Sequence, residues 1–209
     1  MSDRKIPDES LRPALEALSE RDPDMAKAFK KCGLPPVRSQ EPGFDGLIRM
    51  IISQQVSVQS ARAILARLLG EVGDITPENI LALDDDGMKA AGLSRPKQRY
   101  ARGLASDVLE GRLNLDQLPD LSDEEVTEHL IQVKGIGRWT CEVYLLFALH
   151  RQDVMPAADL ALQEGMKLLK GLEDRPDPKE MYVLSESWRP FRSAAARFLW
   201  HYYHHTGIA

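Results

Sequence analysis

The sequence Val133-Lys134-Gly135-Ile136-Gly137-Arg138-Trp139-Thr140 lies between two stretches of helical apolar spacing and places a glycine on each side of one apolar residue. Because glycine lacks a Cβ and tolerates positive φ, the segment predicts a sharp turn whose amides face outward at a helix start. Such amides bind phosphate, and carbonyls inside the turn can hold a monovalent cation. A plain connection between helices uses glycine in the same way, so the pattern alone leaves both interpretations open.

Apolar residues recur at helical spacing along most of the chain. The i, i+3, i+4, i+7, i+8 rule is followed by Phe44, Leu47, Ile48, Ile51 and Ile52, and again by Ala61, Ile64, Leu65, Leu68 and Leu69. Further helices are predicted at about 8–20, 24–31, 77–82, 85–91, 96–110, 123–132, 138–149, 160–170, 178–186 and 190–205. No sustained β-alternation interrupts them, so the predicted fold class is all-α.

Helix start signals support several of these segments. Ser122 precedes a helical stretch with Glu125 three residues later, which is the pattern of a capping box. Thr76 precedes Pro77, which combines a capping residue with a proline suited to the first helical turn. Both signals predict where a helix begins.

Composition excludes several classes of protein. The 209 residues are 43% hydrophobic and 28% charged, which argues against wholesale disorder, and the mean hydropathy of -0.33 argues against a membrane protein. Charges near the N-terminus stand where a secretory signal needs apolar residues, so a cytoplasmic location is expected. The two cysteines, Cys32 and Cys141, are too few for a disulfide framework, a zinc site or a four-cysteine iron-sulfur cluster.

The net charge of -5 hides an uneven distribution. The segment 89–102 contains five basic residues and no acid, and the segment 188–209 contains Arg189, Arg192 and Arg197 and no acid. Acidic residues cluster instead at 84–86 and 120–128. Solvated helix faces explain each cluster alone, but separated signs also permit a basic face that binds nucleic acid.

Four collinear segments resemble the helix-hairpin-helix DNA glycosylase superfamily, in its 3-methyladenine DNA glycosylase II branch. They are FDGLIRMIISQQVSVQSARAI at 44–64, AGLSRPKQRYARGLA at 91–105, the glycine turn continued through CEVYLLFAL and DVMPAADLALQEG to residue 165, and SWRPFRSAAARFLWHY at 187–202. The resemblance implies two helical lobes with an active-site cleft between them. It places residues 43–150 in a middle domain ending in the hairpin at about 123–149, and residues 1–42 plus 151–209 in a second domain that carries the catalytic aspartate.

The resemblance also implies an activity. It identifies a compact form that lacks the family's N-terminal α/β domain and that excises alkylated purines from double-stranded DNA in base excision repair. Relatives that cleave the strand carry a lysine two residues after the second glycine, where this chain has Trp139. A monofunctional enzyme without lyase activity is therefore expected, as a monomer without an iron-sulfur cluster.

Asp159 matches the family's essential aspartate. Cleavage of the bond between C1′ and the base nitrogen passes through an oxocarbenium-like transition state, which a fixed carboxylate stabilises. Many relatives have two adjacent aspartates here, but this chain has Ala158 in the first position. Asp159 also suits the N-cap of a helix that begins near Leu160, and both roles are compatible.

The family's substrate pocket maps to aromatic residues of this chain. An alkylated purine is cationic, so it leaves readily and stacks well on electron-rich rings. The resemblance assigns Trp139 and Trp200 to that pocket, with Tyr144 near it. Each is also an ordinary core residue type.

The remaining implied contacts position the DNA. A minor-groove wedge is expected at Gln55, with Val56 as the alternative, because relatives often insert an apolar residue there. Sodium or potassium is expected on the backbone carbonyls of Ile131, Val133 and Ile136. Phosphate contacts are expected from Lys97, Lys134, the backbone around Gly135, Ile136 and Gly137, and Thr140.

Two other functions stay open at this point. A non-catalytic helix-hairpin-helix protein that senses damage uses the same DNA contacts. A glycosylase for deaminated or etheno bases, such as hypoxanthine or ethenoadenine, uses the same fold and aspartate.

Overall fold

The computed structural model describes residues 6–206, and this range contains twelve α-helices and no β-strand. In chain order they are α1 (Arg12–Arg21), α2 (Pro23–Cys32), α3 (Gly43–Ser53), α4 (Val58–Val72), α5 (Pro77–Ala82), α6 (Asp85–Ala90), α7 (Arg95–Leu109), α8 (Asp123–Ile131), α9 (Arg138–Phe147), α10 (Leu160–Lys170), α11 (Pro178–Leu184) and α12 (Arg192–His205). The all-α prediction is confirmed. Among these helices, none has the length and apolar character that a membrane span needs.

The chain divides into two compact units. We call Gln40–Leu149 the central unit, and Met1–Ser39 together with His150–Ala209 the terminal unit. The sequence predicted these units as 43–150 and as 1–42 plus 151–209. Of that second prediction, residues 1–5 and 207–209 lie outside the described residues.

The core of the central unit is built around α3. All five residues of its predicted apolar stripe are buried, and α3 packs against α4 and α7. The second predicted stripe is narrower than expected, because Ala61, Ile64 and Leu68 are buried while Leu65 and Leu69 are partly exposed. Helix α4 therefore presents a thin apolar edge, whereas α3 is enclosed on most sides.

The predicted helix starts in the central unit are confirmed. Ser122 Oγ accepts a hydrogen bond from the Glu125 amide at 3.2 Å, and the Glu125 carboxylate accepts one from the Ser122 amide at 2.8 Å. Thr76 Oγ1 caps α5 by accepting from the Asn79 amide at 3.2 Å. These contacts satisfy N–H groups that have no acceptor within their helices.

The terminal unit is organised by α10 and α12, which pack on each other and on α2. At the far end of α10, Lys170 Nζ donates to both carboxylate oxygens of Asp22 at 2.8 Å, and Trp188 Nε1 donates to Asp22 Oδ2 at 2.7 Å. Burial alone raises the pKa of Asp22, but these hydrogen bonds outweigh it and hold that pKa below its ordinary value. The C-terminal end of α10 is thereby fixed in the unit.

Candidate active site and nucleic-acid interface

Asp159 stands at the N-terminus of α10 and caps it. Its Oδ1 accepts a hydrogen bond from the Leu162 amide at 3.0 Å, which confirms the predicted capping role. The same oxygen accepts from Trp200 Nε1 on α12, also at 3.0 Å. A carboxylate whose oxygen accepts from two donors on different helices has a fixed orientation.

The turn before Asp159 is held by its own hydrogen bonds. The Asp159 amide donates to the Pro156 carbonyl at 2.9 Å, and the buried Gln163 side chain donates from Nε2 to the Ala157 carbonyl at 2.8 Å. Ala158, at the first aspartate position of the family, is exposed. Gln163 was not singled out from the sequence, although a buried glutamine one turn into a helix is a plausible anchor for the preceding loop.

Trp200 has a second polar neighbour that the sequence did not indicate. The Arg38 guanidinium lies over the Trp200 ring, 5.8 Å from its centroid. Burial lowers the pKa of Arg38, and attraction to the charge of Asp159 partly offsets that effect. Arg38, Trp200 and Asp159 therefore form one group in the terminal unit, assembled from three distant parts of the chain.

The two glycines of the hairpin differ in kind. Gly135 has φ +93°, and a Cβ on it would lie 2.4 Å from atoms of the Tyr100 ring. Gly137 has φ -99° at the N-cap of α9, and a Cβ there would meet no atom within 4 Å. Gly135 is thus required by the turn itself, while Gly137 leaves open space in front of the helix start.

The amides expected to bind phosphate are not all available. Ile136 N donates to the Val133 carbonyl at 3.0 Å, so this amide closes the turn internally. The first N–H groups of α9 have no acceptor within the helix, as at any helix start. The predicted phosphate contact therefore falls to the start of α9 rather than to the Ile136 amide.

The loop between α3 and α4 carries the predicted wedge. Gln55 is exposed and has φ +55°, a left-handed conformation that is uncommon for a residue other than glycine. Val56 beside it is 37% exposed. Gln54 points the other way, because its Nε2 donates to the Gly135 carbonyl at 2.9 Å and to Thr140 Oγ1 at 3.3 Å.

The residues that the sequence assigned to the substrate pocket and to DNA contacts differ in their exposure to solvent. Tyr144 is 0% exposed, and its hydroxyl accepts a hydrogen bond from the Gly43 amide at 2.9 Å, so this structure places it in the core of the central unit. Thr140 is also buried, with its hydroxyl against Gln54. Trp139 and Lys134 are exposed, as a contact with DNA requires.

Several cations of the basic segments are engaged within the protein. Lys97 Nζ donates to the Ile52 carbonyl at 2.6 Å, and burial lowers its pKa. In the terminal unit, Asp153 accepts hydrogen bonds from Arg189 and Arg192, and Arg197 pairs with Asp8. The three arginines of segment 188–209 are therefore paired with acids outside that segment, some of them distant in the sequence.

One thiol lies close to the hairpin. Cys141 is buried in the first turns of α9, and burial together with the nearby Glu142 charge raises its pKa to about 11. Cys32 is partly buried, and burial raises its pKa as well. Neither cysteine forms a disulfide, and the part of the chain that the structure describes holds no cluster of histidine, cysteine and acidic side chains suited to a metal ion.

Comparisons with known proteins relate this chain to DNA repair glycosylases. The family model of the HhH-GPD superfamily base excision DNA repair protein matches residues 48–190. DNA-3-methyladenine glycosylase 1 of Schizosaccharomyces pombe is 40% identical over 91% of this chain and 87% of its own length. A solved S. pombe 3-methyladenine DNA glycosylase in complex with abasic DNA superposes with a TM-score of 0.82 at 37% identity, covering 90% of this chain and 95% of that one. A DNA-3-methyladenine glycosidase structure from Bacillus halodurans gives a TM-score of 0.79 at 30% identity, with 90% and 88% covered.

Proposed function

Because the chain belongs to the HhH-GPD superfamily of base excision DNA repair proteins, we propose that it is a monofunctional DNA glycosylase for alkylated purines. It flips a damaged nucleotide out of duplex DNA, hydrolyses the N-glycosidic bond and leaves an abasic site. The observation that carries this proposal is the carboxylate of Asp159, which the Leu162 amide and the Trp200 indole hold at the start of α10. The names of the three relatives reported above refer to 3-methyladenine, and they support the substrate class.

Asp159 acts on the sugar in this mechanism. As the bond from C1′ to the base nitrogen breaks, its electron pair leaves with the base and positive charge develops on the deoxyribose. A carboxylate whose orientation is already fixed stabilises that charge without reorganising. Water then forms the new bond to C1′ and gives up one proton to the solvent, while the base has left as a neutral molecule.

The aromatic residues act on the base. A purine methylated at a ring nitrogen carries positive charge, so it leaves as a neutral molecule and needs little acid assistance. Stacking on the exposed Trp139 or on Trp200 supplies cation–π attraction and replaces the stacking lost on flipping. Tyr144 presents no face to a base in this structure, because it is buried and its hydroxyl accepts the Gly43 amide.

Strand cleavage is not part of the proposed reaction. A glycosylase with lyase activity forms a Schiff base between a lysine amine and C1′. Trp139 occupies the position at which the family places that lysine, and an indole cannot perform this chemistry. The expected product is therefore an intact strand with one abasic site.

The hairpin grips the phosphate backbone next to the lesion. The N–H groups at the start of α9 bind a phosphate, and the absence of a Cβ on Gly137 lets that phosphate approach closely. A sodium or potassium ion on the carbonyls of Ile131, Val133 and Ile136 adds positive charge on the inner side. Ile131 ends α8, and the last carbonyls of a helix have no donor within it. The Val133 carbonyl accepts the Ile136 amide, and its second lone pair would face the ion.

The loop that follows α3 fills the gap left by the flipped nucleotide. Gln55 is the proposed wedge, since its exposed side chain extends from a left-handed backbone that ordinary loops rarely adopt. Lys134 adds a further phosphate contact from the exposed side of the turn. The proposed enzyme acts as a monomer. In a bacterium it would be located in the cytoplasm and would associate with the nucleoid when bound to DNA.

Substitution of Asp159 by asparagine tests the proposal most directly. Asparagine caps helices as well as aspartate, so the fold should persist while the negative charge is lost. The wild type should release free 3-methyladenine from methylated DNA, and Asp159→Asn should lower the single-turnover rate by at least about hundredfold while still binding DNA. Asp84→Asn is the matched control, because Asp84 caps α6 in the same way.

The outcomes separate the open functions. Release of 3-methyladenine by neither protein, with damaged DNA still bound preferentially, would establish a non-catalytic damage sensor. Release of hypoxanthine or ethenoadenine in place of 3-methyladenine would keep the enzyme and change its substrate. Equal rates in wild type and Asp159→Asn would remove Asp159 from the mechanism.

A further inference from the structure

Gln54 connects the wedge loop to the hairpin. It is the first residue after α3 and directly precedes Gln55. Its side-chain amide donates to the carbonyl of Gly135 at 2.9 Å and to Thr140 Oγ1 at 3.3 Å, across 81 and 86 residues of sequence. One side chain therefore touches both the turn that precedes α9 and the first turn of α9.

Helix α7 contacts both the end of α3, just before the wedge loop, and the hairpin turn. Lys97 Nζ donates to the Ile52 carbonyl at the end of α3, at 2.6 Å. One turn later, the Tyr100 ring lies against Gly135 so closely that no Cβ would fit between them. Helix α7 therefore contacts the chain two residues before Gln54 and also contacts Gly135, the residue to which Gln54 donates. The wedge loop and the hairpin thus pack on the same helix.

The conformation of Gln55 depends on this support. A residue other than glycine is disfavoured in the left-handed region, so its neighbours must hold it there. Gln54 is the adjacent residue, and its side chain is partly buried and fixed at the amide end, whereas Gln55 and Val56 are exposed. An anchored residue followed directly by an exposed, strained one is the arrangement expected of a side chain held ready for insertion.

We propose that Gln54 is a positioning residue that couples the hairpin's hold on the backbone to insertion of the wedge. The proposal rests on the function proposed above. Binding of a phosphate at the start of α9 fixes Gly135 and Thr140 relative to the DNA, and through Gln54 this contact fixes where Gln55 enters the stack. Gln54 itself touches neither the lesion nor the reacting atoms.

The test uses the full chain with Gln54→Met, which keeps the length of the side chain and removes its donor, and Gln54→Asn, which keeps the amide but shortens its reach. Base flipping is followed by the fluorescence of 2-aminopurine placed beside a lesion analogue, and binding is measured on undamaged duplex. We expect both variants to bind undamaged duplex within about twofold of wild type and to flip the base about tenfold less well. Gln98→Met is the matched control, because Gln98 Nε2 makes a similar 2.8 Å bond to the Leu93 carbonyl within the same unit.

A double-mutant cycle with the wedge separates coupling from general damage to the fold. If Gln54 acts through Gln55, then Gln54→Met should have little further effect on flipping once Gln55→Ala is present. Unchanged flipping in the single variants, or losses that multiply in the double variant, would overturn the proposal. Loss of cooperative thermal unfolding in both variants would overturn it too, because Gln54 would then determine the fold.

These readouts do not depend on catalysis. If the wild type flips the base without releasing it, the function proposed above fails while the cycle still reports on Gln54. If the wild type excises the base and Gln54→Met does so equally well, only the coupling fails.

Discussion

The hairpin turn at 133–137 and the turn that ends in Asp159 both lead into a helix, but they are built from different groups. The hairpin is made by the backbone: Gly135 at positive φ, an internal bond from Ile136 to Val133, and free space at Gly137. The turn before Asp159 also has a backbone bond, from the Asp159 amide to the Pro156 carbonyl, but the carboxylate that it presents is held by Trp200, a side chain 41 residues further along the chain. The shape of the hairpin turn is therefore encoded locally, although Gln54 and Tyr100 contact it from elsewhere in the chain. The position of the Asp159 carboxylate depends instead on packing within the terminal unit.

The largest effect should follow from Gly135→Ala, which disrupts the backbone of the hairpin turn. The new Cβ would meet the Tyr100 ring and require a left-handed backbone, and together these should cost about 3 kcal/mol of unfolding free energy. Gly171→Ala is the control, because Gly171 is also left-handed but has nothing within 4 Å of the new Cβ. Denaturant unfolding of both variants measures the difference, and equal losses would mean that the Tyr100 contact is unimportant.

A smaller effect is expected from Trp200→Phe, which removes the side-chain hydrogen bond to Asp159. Phenylalanine keeps an aromatic face but removes the N–H that holds Asp159, so the single-turnover excision rate should fall by about thirtyfold, or about 2 kcal/mol. Trp188→Phe is a matched control, since it removes a similar indole N–H bond to a carboxylate. That carboxylate is Asp22, which pairs with Lys170 at the C-terminal end of α10. That variant should lose stability and keep its excision rate at a temperature where it is folded.

The smallest effect is expected from Gly137→Ala. No neighbour opposes a Cβ at this position and φ is negative, so the stability should stay within about 0.5 kcal/mol of wild type. The methyl group would instead stand in front of the helix start and weaken binding to undamaged duplex by about fivefold, or about 1 kcal/mol. Fluorescence anisotropy at fixed salt measures this, and a loss of stability without a loss of affinity would contradict the role assigned to Gly137.

The same contrast explains what the sequence could predict. The all-α fold, the buried stripe of α3 and the capping box at Ser122 follow from spacing and local chemistry, and the structure confirms them. The family was also identifiable, because its motifs are local and collinear.

Contacts between distant segments were not predictable in this way. Nothing around Gln54 indicates that its amide reaches Gly135, and nothing around Arg38 indicates that it covers Trp200. Lys97 shows the same limit, since a lysine in a basic segment suggests a phosphate contact, yet it donates to the Ile52 carbonyl. The roles of the site residues beyond these contacts stay predictions.

The position of Cys141 has a consequence for the conditions under which such an enzyme works. Methylating chemicals that attack purine nitrogens also attack cysteine, and they react with the thiolate far faster than with the thiol. A thiol with a pKa of about 11, enclosed in α9, is protonated at neutral pH and shielded from reagents in solvent. This thiol would thus be spared by the same electrophiles that create alkylated purines.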